Sequence, residues 1–257
     1  MIVYEREHDF VMVDQHHHAL LSGQLAQYWR EDLFNGESHR EDVIYAIAQH
    51  DRAWITLDEI PLWNDRSKAP FSFIDFPSPL KLLHYQRGVD EVEGQNKYAA
   101  LLCSCHYSSF FYEPMSSDER EYKQLESNRQ NRLFSEIKFI SDDECSQHLR
   151  MLKFLDNLSI YICINEPGIS KKEEFKWYTD GFNGSEQLPT AAGNKIIAYW
   201  LNDHSIGLTM SPFKEHTRVS VPTKIVTKKS IHQYGVAKAY SHTKTTIRTV
   251  EVGPLPI

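Results

Sequence analysis

Histidine is the residue this chain carries in excess, with 13 in 257 positions. Several of them fall inside otherwise apolar helical stretches. Imidazole binds transition metals and exchanges protons near neutral pH, so its placement decides its chemistry. His18 shares an apolar stripe at three- and four-residue spacing with Leu21, Leu25 and Trp29, which turns its ring inward. His106 follows Leu102 by four residues and shares that face. Asp156 lies among Leu152, Leu155 and Ser159-Ile160, where a lone carboxylate is costly unless it is paired or holds a cation. His50-Asp51 closes one further helix and His84 lies on the next. Four inward His and two inward Asp from separate segments can satisfy one another by holding metal. Nitrogen and carboxylate donors suit zinc, iron, manganese or nickel. One carboxylate can bridge two ions about 3.5–4 Å apart. His16 and His17 precede His18 directly; the inward stripe selects His18 and leaves His17 as the alternative ligand.

The elements that must position these groups are legible from period and punctuation. Ile2-Val3-Tyr4 and Phe10 to Val13 flank a polar turn and predict a hairpin. A helix is expected over 14–34, and a second from a capping box of Ser38 with Glu41, leading to His50-Asp51. A loop rich in Pro and aromatics follows to about Pro77. Ser78 is the expected cap of the next helix, with Pro79 at its first position, running to Gly94 through Leu82, Leu83 and His84. Further helices are expected over 96–112, from the Ser116/Glu119 box to about Phe139, and from the Ser141/Glu144 box to near Asn165. His148, beside Arg150, reads as a surface residue.

From about Glu166 the chain grows richer in Thr, Val, Gly and Pro. The runs 195–201 and 205–210 surround Asn202-Asp203-His204, a hairpin turn. Val219 and Val221, Ile225 and Val226, Val236 and Ala237, and 247–252 continue the series. This predicts about five antiparallel strands packed on the helices. The expected class is α+β: a mainly α-helical bundle (1–165) with an N-terminal β-hairpin, and a β-rich C-terminal subdomain (166–257).

In the order His18, His50-Asp51, His84, His106, Asp156, the chain resembles the HD-domain superfamily of metalloenzymes in its binuclear variant. Gln15 through Ala26 and Leu155 through Ser159 also look like an uncharacterised bacterial family of HD-like proteins. The resemblance covers about residues 10–165 and implies an HD-like helical bundle. It implies one metal held by His18, His50, Asp51 and Asp156, with Asp51 bridging to a second held by His84 and His106. By the same resemblance the expected activity is metal-dependent hydrolysis, foremost of phosphoesters. The same ligand set would serve a mixed-valent di-iron oxygenase, and the fold would serve a binding protein without turnover. The pair is followed by Arg52-Ala53-Trp54, where many members of the superfamily carry Lys. Arg52, beside Asp51, is the candidate contact for an anionic small-molecule substrate, and Trp54, Asp58 and Tyr107 are candidate pocket residues.

Composition narrows the alternatives. The net charge of −7 lacks the positive excess a duplex nucleic-acid groove requires. The four cysteines show no CxxC pair or framework spacing, as expected of reduced thiols in a cytoplasmic protein. No apolar run reaches the length of a membrane span. Gly181, Gly184 and Gly193 form no phosphate-cradling loop, and no Gly-x-Ser-x-Gly elbow is present.

Overall fold

The computed structural model describes residues 1–113, 116–138 and 140–256 and is α+β. Strands β1 (Ile2–Glu5) and β2 (Asp9–Val13) form the expected hairpin. Helices α1 (Gln15–Gln27), α2 (Arg40–Gln49) and the single turn α3 (Ile55–Asp58) follow. A two-residue ribbon, β3 (Trp63–Asn64) with β4 (Ala69–Pro70), interrupts the aromatic loop. Then come α4 (Ser78–Glu93), α5 (Lys97–Ser108), α6 (Ser117–Glu136) and α7 (Asp142–Ile164). The C-terminal part holds β5 (Ala198–Asn202), β6 (Ser205–Leu208), β7 (Thr217–Thr227), α8 (Lys228–Tyr234), α9 (Val236–His242) and β8 (Thr246–Pro254). Among the described residues no helix is long and apolar enough to cross a membrane.

The capping chemistry explains several boundaries. Ser116 and Ser141 each accept from the backbone N–H three residues on, and Glu119 and Glu144 return the bond, so both predicted boxes form. The polar α6 ends at Glu136, and the expected end at Phe139 lies outside the described residues. Asn165 ends α7 as expected. The Ser38/Glu41 box does not form: Ser38 lies in a 3₁₀ turn, and His39 precedes α2 without a side-chain cap. Ser78 is the first helical residue of α4 rather than its cap. The first helix stops at Gln27 rather than near Phe34, because Trp29 leaves the helix to bridge Phe213.

One six-stranded sheet, ordered β1-β2-β7-β8-β6-β5, joins the N-terminal hairpin to the C-terminal strands. Its pairs are antiparallel except β6 with β8, which is parallel, so the expected antiparallel region is in fact mixed. Val219 through Val226 form one long strand around Pro222. Pro222 is tolerated because β2 ends opposite Lys224, leaving β8 as the partner at that point. Beyond that end α1 closes the edge: the Gln24 amide donates to Ser220 O at 3.0 Å and accepts from Ser220 N–H at 3.0 Å. Val236 and Ala237 begin a helix rather than a strand, since a short apolar pair carries no period of its own.

The main core lies where α1, α2, α5 and α7 meet, around Leu21, Leu25, Ile47, Leu102 and Leu155. Two glycines set how closely elements approach there. A Cβ on Gly23 of α1 would stand 2.7 Å from the Ala48 Cβ of α2. A Cβ on Gly88 of α4 would stand 2.7 Å from the backbone of Ala53, in the turn after His50-Asp51. That close contact fixes the turn carrying the candidate ligands.

Candidate metal centre

Five of the six predicted ligands converge inside this core. His18, His50 and Asp51 offer one donor atom each within 4.8 Å of one another, and so do His50, His106 and Asp156. All five residues are buried. His18 Nε2 lies 2.8 Å from Asp51 Oδ2, and His50 Nε2 lies 3.2 Å from Asp156 Oδ1. His106 Nε2 stands 3.5 Å from Asp156 Oδ2, so the two oxygens of Asp156 face different rings.

The opposite ring nitrogens show how two of these imidazoles are held. His50 Nδ1 donates to the Ile47 carbonyl at 2.7 Å, and His18 Nδ1 lies 2.8 Å from Ser159 Oγ. Ser159 is fixed in turn, donating to Asp156 O and accepting from Ser22. Outer partners of this kind fix the tautomer and aim the free nitrogen at a metal. Gln15 does the same for a carboxylate, its side-chain amide donating to Asp51 Oδ2 at 2.9 Å. The donor chemistry fits a transition metal: two oriented imidazole nitrogens, two carboxylates and a buried setting. His106 differs, because its buried Nδ1 has no hydrogen-bond partner among the described residues.

Electrostatics bind the cluster together. Burial works to raise the Asp156 carboxyl, but the hydrogen bond and charge of His50, with His106 and His18 beside it, hold it at about 2. Asp51 is likewise lowered: burial opposes its charge, and the bond to His18 and the charge of His50 prevail. Burial disfavours the charged form of His50, yet its pairing with Asp156 raises it to about 9. His106 is pushed down to about 4 by burial.

The cluster floors a cavity of about 380 Å³. Asp51, His106 and Asp156 line its base with Gln15 and Asn157, while Trp54, Tyr85, Phe110, Phe111 and Trp177 form much of its wall. Among the described lining residues Lys81 is the one lysine or arginine. Its place at the wall has no signal in the sequence, because it depends on how the loop before α4 folds back over the bundle.

The remaining predicted residues go elsewhere. His84 does not join the cluster: its Nδ1 lies 3.2 Å from Thr56 Oγ1 on a partly exposed face of α4, and the next residue, Tyr85, turns inward instead. Arg52 points away from the cavity, bonded to Glu91 at 2.7 Å and Gln49 at 3.1 Å. Trp54 lines the cavity. Asp58 is buried, but its two oxygens accept from the Met1 amino group at 2.5 Å and the Gln15 N–H at 2.6 Å, so it anchors the start of α1. Tyr107 stacks on Tyr85 with ring centroids 4.1 Å apart, behind the wall. His17 pairs with Asp14 at 3.2 Å on the outer side of α1, leaving His18 as the inward residue.

His148 corrects the surface expectation. It is buried, accepts from Tyr98 Oη at 2.6 Å on Nδ1, donates from Nε2 to Asn35 O at 2.7 Å, and stacks on Phe34. Its covering comes from the loop after α1, which no helical pattern in α7 announces.

Residues 1–228 match the family described as "Protein of unknown function (DUF3891)", and the chain belongs to that family. Comparison with curated proteins and with solved structures returns no match.

Proposed function

We propose that this DUF3891 member is a metal-dependent hydrolase of the HD type, acting on a small phosphoester. The observation that supports it best is the paired orientation of His18 and His50. Each has one nitrogen engaged by an outer partner and the other facing a carboxylate. His18, His50, Asp51 and Asp156 would hold the ion. One ion is favoured over the two expected from the resemblance. The second ion would lose one of its expected ligands, because His84 is held at Thr56.

Such an ion, when bound, lowers the pKa of water and neutralises charge developing on a phosphoryl oxygen. The protein's own residues supply the rest. Gln15 keeps the Asp51 carboxylate turned toward His18. Ser159 and the Ile47 carbonyl keep the two rings from rotating out of register. The buried rings of Trp54 and Tyr85 give the wall beside the floor an apolar surface, which strengthens the charge interactions there. Lys81 offers a positive charge to the anion from the side.

Manganese-loaded protein assayed on phosphate mono- and diesters should show turnover that Asp51→Asn abolishes. A loaded protein inert across that panel would contradict the reading, as would iron-dependent dioxygen uptake on the same ligands.

A further inference from the structure

Resting on the phosphoester reading of the same site, a narrower conclusion comes from the wall of the cavity rather than its floor. Lys81 is half-buried and its ammonium donates to a single neutral acceptor, the Phe73 carbonyl, at 3.3 Å. Among the described residues it forms no ion pair. Asp75, one of the two carboxylates that act on it, is engaged by Asn64 and Ser72, while Glu119 caps α6 at Ser116. A cation placed so in an apolar wall is suited to an incoming anion.

The rest of the wall is suited to something else. Phe110 and Trp177 are 52% and 51% exposed although both line the cavity, and Trp177 meets Phe73 edge-on at 6.0 Å. Polar groups that could serve a sugar are scarce in the described lining: both side-chain amides already donate, and Gln15 Oε1 is an acceptor left open. Gln15 donates to Asp51, and Asn157 donates to the Lys153 carbonyl. A polyol here would bring more hydroxyls than the few open partners, such as Gln15 Oε1, can satisfy, a cost an aromatic group avoids while covering ring surface.

We infer that Lys81 selects the anionic group of the ligand and that Phe110 and Trp177 select an aromatic alcohol portion, so the substrate class is aryl phosphate esters rather than sugar or polyol phosphates. The balance of that reaction is hydrolytic: water's oxygen bonds to phosphorus, the phosphorus–oxygen bond to the phenol breaks, and the phenol leaves with a proton.

Calorimetric titration with phenylphosphonate and methylphosphonate, neither of which can be hydrolysed, tests this without turnover. The native protein, as purified and manganese-loaded, should bind the phenyl compound about tenfold more tightly. Lys81→Gln should weaken both ligands about tenfold. Trp177→Ala should erase most of the phenyl preference, with circular dichroism unchanged in both variants. Equal affinity for the two compounds, binding of neither, or Lys81→Gln binding like the native protein would overturn the inference. If the phosphonates bind as expected while phenyl phosphate is not turned over, hydrolysis fails and the specificity stands. If glycerol phosphate is cleaved in preference to phenyl phosphate, hydrolysis stands and the specificity fails.

Discussion

Two groups of histidines lie in the helical core, and they differ in what surrounds them. His148 has both nitrogens engaged by neutral partners, Tyr98 Oη and Asn35 O, and no carboxylate within ion-pair distance among the described residues. His18 and His50 each have one nitrogen engaged in the same manner and the other facing an aspartate. Burial is common to both. The distinguishing feature is convergence: two aspartates from different segments meet the second group, and among the described residues no carboxylate stands within ion-pair distance of the first. What separates a core histidine from a candidate metal ligand here is the carboxylate that faces its second nitrogen, not its depth.

The sharpest way to break this contrast is to truncate one ring in each group. His50→Ala should reduce bound metal to a trace and hydrolysis by on the order of 10³-fold, with the helical circular dichroism retained. His148→Ala should leave metal content untouched but cost about 3 kcal/mol of stability, read as a lower denaturant midpoint. The cost arises because the Tyr98 hydroxyl and Asn35 carbonyl lose their partner and Phe34 loses a stacked face. If His148→Ala also released metal, the division between the two groups would be lost.

The outer partners sharpen the comparison. Ser159→Ala frees the His18 ring and should weaken metal affinity about 10- to 100-fold, measured by competition with a chelator, without unfolding the bundle. Arg52→Ala should matter least. Its partly exposed pairing with Glu91 contributes less than about 1 kcal/mol, and metal affinity should not move. A large loss of affinity in that variant would restore Arg52 to the site.

These contrasts also explain what could be read before the fold was known. His18, His106 and Asp156 lie in apolar helical stripes, so periodicity alone turns them inward, and His50-Asp51 ends a helix whose face is apolar. His84 sits beside Leu82 and Leu83 too, but Leu83 is 55% exposed, so that stretch of α4 presents an apolar side to solvent. His148 was hidden for the opposite reason, because the loop that buries it arrives from another part of the chain. Ser159 and Gln15 act through partners far away in sequence, and Lys81 meets the cavity only through the tertiary fold, so no local pattern reveals them. The hairpin and the two capping boxes were legible because their hydrogen bonds are local. The parallel β6–β8 pairing was not, since strand order is settled only when distant segments meet.

The most direct measurement is elemental analysis of the protein purified without added metal, beside His50→Ala and Asp51→Ala. The account predicts about one transition-metal ion per native chain and almost none in either folded variant. A native protein free of transition metal even after loading, or variants that keep the ion, would contradict it.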